Sequence, residues 1–335
     1  MPAIPGQFLD CAIYLYPSVD AAEAGEAIGG SGFLVSVPME GEPPNSDGQF
    51  VGTLYAVTNR HVADQARAVR LNNRDGAFEV VPVDGETWVP HPDGDDVAVA
   101  HLGLSPDRHR FLAVSSDSLV APTQEGYFYF ARGTDTFMVG RFVTHEGKQR
   151  NTPTVRFGNV SMLPEEPLWH KKYKLWQDSF LVEVRSLPGY SGSPVFGYVP
   201  IPPSGKKLEP GDDPELAGMA VRLIGVDWCH LRDWADVYQA DEETKTGDRV
   251  ALNSGMAGVI PAWKLTELLE DDELARDRKQ GEDDWRKQHG NTPAPQLDEA
   301  TGRSEFERFE DLTRKLVNTP KSEVDEKRRA EKQDD

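Results

Sequence analysis

The chain has 335 residues, of which 38% are hydrophobic, so it can bury a substantial core in one large domain or two modest ones. Its formal net charge of -20 argues against a general grip on nucleic-acid phosphates, which requires clustered lysine and arginine. The two cysteines, Cys11 and Cys229, lie far apart and predict neither a disulfide framework nor a zinc site. A signal-peptide pattern and a membrane-spanning apolar run are both lacking. We therefore expect a cytoplasmic protein with no nucleic-acid or membrane partner.

Short apolar runs separated by turn residues predict an all-β body, because glycine (30) and proline (25) are plentiful and few stretches have helical periodicity. A crossing segment at 103–125 would join two units of roughly six strands each. A short helix after Pro261 is expected to close the body, and insertions at 200–215 and 229–250 are predicted as surface loops. The predicted strands are residues 8–16, 28–37, 51–58, 69–71, 78–83, 97–102, 127–131, 154–162, 180–184, 195–198, 219–227 and 255–260.

The character of the chain changes at residue 271, where a charged tail of 271–335 begins. The tail has 19 acidic and 14 basic residues, a net charge of -5. A capping box formed by Ser304 and Glu307 precedes an apolar stripe and predicts an amphipathic helix over about 304–317. The stripe consists of Phe306, Phe309, Leu312 and Leu316. It needs a partner, of which the protein's own body is the simplest; another copy or another protein are the alternatives.

The best candidate for chemistry is Ser191, in the run Leu187 to Ser193. It lies between Gly189 and Gly192, so the backbone can turn sharply and expose the serine with small neighbours. Backbone N–H groups on such a turn can stabilise the oxyanion of an acyl-transfer intermediate. A glycine-rich run of this kind is more often a simple hairpin turn, so the interpretation depends on a base and an acid elsewhere.

A base and an acid of the required types precede this serine. His61 is predicted at a strand-to-helix corner, and Asp96 stands at the start of a buried strand, 97–100. Asp95 is an alternative acid, although it is better placed to complete the preceding turn. The Asp-Gly-Asp-Asp run could suggest calcium, but the full loop pattern is absent.

The alternative to a base and an acid before the serine is the α/β-hydrolase order, in which Ser191 is followed by Asp227 and His230. That fold requires a helix directly after the nucleophile. Pro194 and the β-forming residues after it do not supply one, and Ser193 stands where the elbow needs glycine. The sequence therefore does not favour the α/β-hydrolase order.

Four short stretches in the order base, acid, nucleophile resemble the trypsin-like serine proteases, the chymotrypsin-fold family that includes HtrA-type bacterial enzymes. They are Gly30-Ser-Gly-Phe-Leu-Val35, Ala56-Val-Thr-Asn-Arg-His-Val62, Asp96-Val-Ala-Val99 and Pro188-Gly-Tyr-Ser-Gly-Ser-Pro194. The resemblance implies two six-stranded Greek-key β-barrels within a domain of 1–270, the first at about 8–115 and the second at about 120–262. It also implies a triad of His61, Asp96 and Ser191 between the barrels.

The same resemblance places the oxyanion site at the backbone N–H groups of Gly189 and Ser191. It places the pocket for the residue before the scissile bond around Arg185, Asp227 and Trp228. The resulting hypothesis is a cytoplasmic serine endopeptidase that cleaves protein or peptide substrates through an acyl-enzyme, without a metal or organic cofactor. The alternative is a weakly active or inactive module of the same fold that binds peptides or a protein partner, regulated through the C-terminal tail.

Overall fold

The computed structural model describes residues 4, 6–26, 29–39, 52–121, 131–143, 147–170, 174–201, 218–239 and 244–289. Two β units joined by the segment after residue 115 make up most of this part, which confirms the predicted all-β fold class. The amphipathic helix predicted at 304–317, most of the loop 200–215 and most of the strand 127–131 lie outside the described residues.

The first unit is an eight-stranded sheet with the order β5-β4-β1-β2-β3-β7-β6, in which β8 pairs in parallel with β2. Six of its strands correspond to the six expected, and the two-residue strands β6 and β8 are additional. The strands are β1 (Ala12–Tyr16), β2 (Ser31–Pro38), β3 (Gly52–Thr58), β4 (Ala68–Asn72), β5 (Phe78–Pro82), β6 (Val89–Pro90), β7 (Ala98–His101) and β8 (Val114–Ser115). The helices α1 (Val19–Ala24) and α2 (Arg60–Ala63) interrupt it.

The second unit is a closed six-stranded barrel with the order β10-β13-β16-β15-β14-β9. A separate hairpin, β11 with β12, stands beside it. The strands are β9 (Asp135–Gly140), β10 (Thr154–Met162), β11 (Leu168–His170), β12 (Leu175–Gln177), β13 (Phe180–Glu183), β14 (Pro194–Ile201), β15 (Gly218–Tyr238) and β16 (Lys245–Pro261).

The core continues from one unit into the other. The ring of Phe8, in a 3-10 helix over Gly6–Cys11, meets Phe137 of β9 and Phe196 of β14 edge-on at centroid distances of 5.4 and 5.5 Å. The helix α3 (Ala262–Leu269) adds its apolar stripe to the same cluster. Such burial of large apolar side chains is the main force that holds the units together.

The predicted closing helix is therefore present, and a further helix, α4 (Asp272–His289), follows it. Leu274 of α4 is 6% exposed and packs into the core cluster, and Arg278 donates a hydrogen bond to Tyr55 Oη at 3.4 Å. The first part of the predicted tail thus packs on the body. No helix in the described part of the chain is long and apolar enough to cross a membrane.

Several local predictions differ from the structure. Residues 8–11, predicted as the start of a strand, belong to the 3-10 helix Gly6–Cys11, and β1 begins only at Ala12. The described residues of 229–250 form no simple surface loop, because β15 continues to Tyr238 and pairs there with the first part of β16, from Lys245 on. Its outer residues are exposed on both faces, so the sequence lacks the alternation that marks a half-buried strand. The strand β9 is not predicted at all, since its apolar run spans only Phe137 to Val139.

Candidate active site

His61 lies at the strand-to-helix corner that the sequence predicts. Strand β3 ends at Thr58, Asn59 has extended φ and ψ angles of -73° and 148°, and α2 begins at Arg60. The side chain of His61 is 20% exposed, so the ring reaches the cavity surface while one edge packs inside.

Asp96 holds His61 through both carboxylate oxygens. Its Oδ2 lies 2.6 Å from His61 Nδ1, and its Oδ1 accepts the backbone N–H of His61 at 2.9 Å. The side chain of Asp96 is only 4% exposed, so this contact is shielded from water. Because Nδ1 is held by the carboxylate, Nε2 is the ring nitrogen that can accept a proton from a nucleophile.

The main chain of Asp96 is fixed by two amide side chains. Asn59 Nδ2 donates to the backbone carbonyl of Asp96 at 3.0 Å, and the backbone N–H of Asp96 donates to Gln177 Oε1 at 2.8 Å. Gln177 Nε2 in turn donates to Asp95 Oδ1 at 2.6 Å. Of the two acidic candidates, Asp96 therefore contacts His61, whereas Asp95 bonds Gln177 and lies 3.3 Å from Lys264 Nζ.

Ser191 stands on a tight turn whose glycines have left-handed backbone angles. Gly189 has φ 97° and Gly192 has φ 88°. A Cβ at Gly192 would lie 2.1 Å from the carbonyl oxygen of Ser31, so only glycine fits there. The turn is closed by the bond from Ser193 N to Tyr190 O at 2.8 Å.

The amides of this turn fall into two groups. Those of Tyr190, Gly192 and Ser193 donate to backbone carbonyls within the protein. Within the described residues, the amides of Gly189 and Ser191 donate to no protein acceptor. These are the two amides at which the family resemblance places the oxyanion site, and they are available to a ligand.

Ser31 fastens this turn to the first unit, a role that sequence reasoning missed. Its N–H donates to Ser191 O at 2.9 Å, and its Oγ donates to Gly189 O at 2.7 Å. The same Oγ accepts the N–H of Arg141 at 2.9 Å. The sequence signal for this role is the Gly30-Ser-Gly run, which by itself predicts only the early strand.

The three residues predicted for the substrate pocket have different surroundings. Trp228 lines the cavity that contains His61 and Ser191, whereas Asp227 and Arg185 do not line it. Arg185 is exposed to solvent. Trp228 is held by a hydrogen bond from its Nε1 to Ser179 Oγ at 3.0 Å.

Asp227 is a buried carboxylic acid directly beneath the nucleophile turn. Its carbonyl accepts from Gly192 N at 2.8 Å, and its N–H donates to Ser193 O at 2.9 Å. Ser186 Oγ donates to Oδ2 at 2.9 Å, while Oδ1 is buried and has no hydrogen-bond partner among the residues that the structure describes. Burial raises the pKa of Asp227 to about 7, against the opposing effect of the Ser186 hydrogen bond.

The cavity has a volume of about 820 Å³ and is lined from both units. His61 and Gly30 come from the first unit, and Gly189, Ser191 and Trp228 from the second. Trp169 of β11 and Trp234 of β15 also line it. Sequence reasoning missed these two tryptophans, because residues 229–250 are predicted as a loop and β11 is not predicted.

A second cluster of titratable groups lies behind Asp95. His91 Nδ1 is 3.4 Å from Asp95 Oδ2, and His91 Nε2 is 3.5 Å from Glu267 Oε2. It is the one group among the described residues whose atoms approach metal-binding spacing. The Lys264 ammonium lies 3.3 Å from Asp95 and 3.1 Å from Glu267, so a fixed cation already forms ion pairs with both carboxylates.

Comparisons with known proteins identify a family for this chain. A family model described as "Trypsin-like peptidase domain" matches residues 30–198. No protein with a curated description matches the sequence. The similar solved structures include a variant of the HtrA-type protease AlgW with a tripeptide, at 14% identity and a TM-score of 0.40. That match covers 81% of this chain and 62% of AlgW, so the chain spans less than two thirds of that relative.

A second solved structure with this likeness is the inactive form of the Rv3671c protease from M. tuberculosis H37Rv. It is 14% identical with a TM-score of 0.40, and the match covers 78% of this chain and 88% of that one. The matched family segment is half of the chain and contains His61, Asp96 and Ser191. This chain belongs to the trypsin-like peptidase domain family.

Proposed function

We propose that this protein is a serine endopeptidase in which His61, Asp96 and Ser191 form a catalytic triad. One observation carries the proposal: the buried Asp96 carboxylate forms hydrogen bonds with both the ring and the backbone of His61, and His61 lines the same cavity as Ser191. A buried carboxylate that orients a histidine in the same cavity as a serine is the arrangement needed to activate a hydroxyl nucleophile.

Acylation begins when Ser191 Oγ attacks the carbonyl carbon of the scissile peptide bond. His61 Nε2 takes the hydroxyl proton as the new C–O bond forms, and the resulting imidazolium is stabilised by Asp96. When the tetrahedral intermediate collapses, the C–N bond breaks and His61 returns the proton to the leaving amine. Water then repeats these steps on the acyl-enzyme, with His61 again as the base, and releases the carboxylic acid and free Ser191.

The oxyanion of each tetrahedral intermediate would accept hydrogen bonds from the amides of Gly189 and Ser191. In support, these amides donate to no protein acceptor in the described part of the chain, and Ser31 holds the turn that presents them. A fixed donor costs no reorganisation when charge develops, and removal of one such donor costs about 10²–10³ in rate in a well-studied serine protease.

The proposal is tested by labelling with a fluorophosphonate probe followed by peptide mapping. We expect the label on Ser191 of the unmutated protein and none on Ser191→Ala, whereas Ser105→Ala, which alters an exposed serine, labels normally. Against a cleavable peptide, Ser191→Ala should lower the rate about a million-fold and Asp96→Asn about ten-thousand-fold. Absence of labelling in the unmutated protein across pH 5 to 9 would contradict the proposal and favour a peptide-binding module.

A further inference from the structure

Asp96 lies just outside the sheet that follows it, because strand β7 begins only at Ala98. Among the described residues, both of its backbone hydrogen bonds are made to side chains. Its N–H donates to Gln177 Oε1 at 2.8 Å, and its carbonyl accepts from Asn59 Nδ2 at 3.0 Å. These bonds hold the peptide groups on both sides of Cα. Since Cβ has a fixed direction relative to those groups, they set the direction of the carboxylate that contacts His61.

Gln177 reaches Asp96 from the second unit. It is the last residue of β12, in the hairpin beside the closed barrel, and it is fully buried. Its Oε1 accepts the N–H of Asp96, and its Nε2 donates to Asp95 Oδ1 at 2.6 Å and to the carbonyl oxygen of Asp178 at 3.4 Å. One buried amide group therefore bonds two consecutive residues of the first unit, and these bonds hold it in a single orientation.

Both neighbours of the Gln177 amide require that same orientation. The oxygen and nitrogen of a glutamine amide are nearly equal in shape, so the hydrogen-bonding partners decide which atom lies where. The N–H of Asp96 needs an acceptor, and the carboxylate of Asp95 needs a donor. Asp95 is held in turn by Lys264 of α3, whose Nζ lies 3.3 Å from Asp95 Oδ2. A chain of polar contacts thus runs from α3 through Asp95 and Gln177 to Asp96.

We propose that Gln177 is a positioning residue for the triad, which fixes the backbone of Asp96 so that its carboxylate holds His61 in the orientation for proton transfer. Asp95 in turn positions Gln177. Without the Gln177 side chain, the N–H of Asp96 would lose its partner, and the backbone would move to find another, because a buried donor without an acceptor is costly. A misplacement of about 1 Å can cost about a hundredfold in rate. The inference rests on the proposed function, which makes Asp96 the acid of the triad.

Gln177 acts through Asp96 and not through the substrate. It does not line the cavity that contains His61 and Ser191. Its loss should therefore lower kcat and leave KM for a peptide substrate almost unchanged, because the contacts that bind the peptide remain in place. A residue that only stabilised the fold would change neither constant under conditions in which the protein is fully folded.

The first test measures the rate constant of fluorophosphonate labelling at Ser191, which needs no identified substrate. Gln177→Met keeps the length of the side chain and removes both hydrogen bonds, so we expect labelling to slow by about a hundredfold. The matched control is Asn151→Leu. It removes another buried amide, which donates to the carbonyl of Arg70 at 2.7 Å outside the cavity, and it should label at the unmutated rate.

The second test asks whether the effect passes through Asp96. Added to Asp96→Asn, the substitution Gln177→Met should cause little further loss, because the interaction that it supports is already gone. A general distortion of the site would slow labelling by the same factor in both backgrounds. Asp95→Ala should slow labelling by about tenfold, and Asp95→Asn, which keeps an acceptor for Gln177 Nε2, should retain most of the rate. Asp95 is partly exposed, so this pair decides the question if Gln177→Met does not fold.

A proton NMR signal reports the hydrogen bond between Asp96 and His61 without any reaction. A proton on His61 Nδ1 that is bonded to a buried carboxylate is protected from exchange with water and gives a separate downfield signal. Gln177→Met should shift or broaden this signal, whereas Asn151→Leu should leave it as it is in the unmutated protein.

Several results would overturn the inference. These are unchanged labelling in Gln177→Met, equal losses in Gln177→Met and Asn151→Leu, the same loss with and without Asp96→Asn, or an unchanged His61 signal in Gln177→Met. Failure of the proposed function is seen separately, as absence of fluorophosphonate labelling in the unmutated protein. The NMR comparison then still decides whether Gln177 positions Asp96.

Discussion

The buried acid Asp227 predicts that the protein is less stable at pH 8 than at pH 5. Asp227 is 1% exposed, and within the described part of the chain its carboxyl contacts one donor, Ser186 Oγ, while the second oxygen has no partner. Ionisation places a negative charge in surroundings that solvate it poorly, so the neutral acid is favoured in the folded protein. The substitution Asp227→Asn keeps the shape of that neutral acid and removes the titration.

The magnitude follows from the pKa in the two states. Burial raises the pKa of Asp227 from its ordinary value of 3.8 to about 7, and this change corresponds to roughly 4 kcal/mol. Between these pH values the folded protein binds the proton and the unfolded chain releases it, so the free energy of unfolding falls as pH rises. The loss begins near pH 4, is complete just above pH 7, and is constant beyond that.

Urea unfolding at several pH values between 4.5 and 8.5 measures this effect. Other groups also titrate, so the informative quantity is the difference between the unmutated protein and Asp227→Asn. The stability of the unmutated protein should fall more steeply by up to about 3 kcal/mol over this interval, because about 1 kcal/mol of the effect lies below pH 4.5. Parallel stability curves for the two proteins would refute the assignment of a neutral, buried Asp227.

Two further predictions concern packing. Gly192→Ala should abolish labelling of Ser191 and lower the free energy of unfolding by at least about 2 kcal/mol, because the new Cβ would clash with Ser31 O at a residue with positive φ. The control is Gly281→Ala, at a helix position where no atom lies near the added Cβ. Equal effects of the two substitutions would contradict the reasoning. Leu274→Ala should cost about 2–3 kcal/mol in urea unfolding because Leu274 packs in the core, whereas the exposed Leu252→Ala should cost almost nothing. An unchanged stability in Leu274→Ala would mean that α4 does not stabilise the body.

Much of the fold was predictable because local residue patterns indicate strands. Strand β10 has the predicted bounds of 154–162, and the end of β3 falls at the predicted residue, 58. The strand-to-helix corner at His61 also followed from adjacent residue types, since β-forming residues give way there to helix formers. These features depend on interactions within a few positions of each other.

The local structure around the candidate site residues was also predictable, because it too depends on neighbouring residues in the chain. Glycines around Ser191 require a sharp turn, and the buried run after Asp96 places this acid at the start of a strand. The sequence left Asp95 as an alternative, because two adjacent carboxylates differ little in local pattern. Their separation depends on Gln177, which bonds Asp95 with its side-chain amide and the backbone of Asp96 with its carbonyl.

Composition and turn chemistry thus determined the all-β class and the two units, and the resemblance carried by four motifs indicated the three residues proposed for catalysis, with Asp95 left as an alternative acid. Only the tertiary structure showed that Ser31 holds the nucleophile turn, that Asp227 is buried beneath it, and that β15 extends past the cavity with Trp234 at its edge. Each of these depends on partners far away in sequence. An aspartate has the same residue type whether it is buried or exposed. Its burial and its hydrogen bonds depend on which distant residues the fold packs against it.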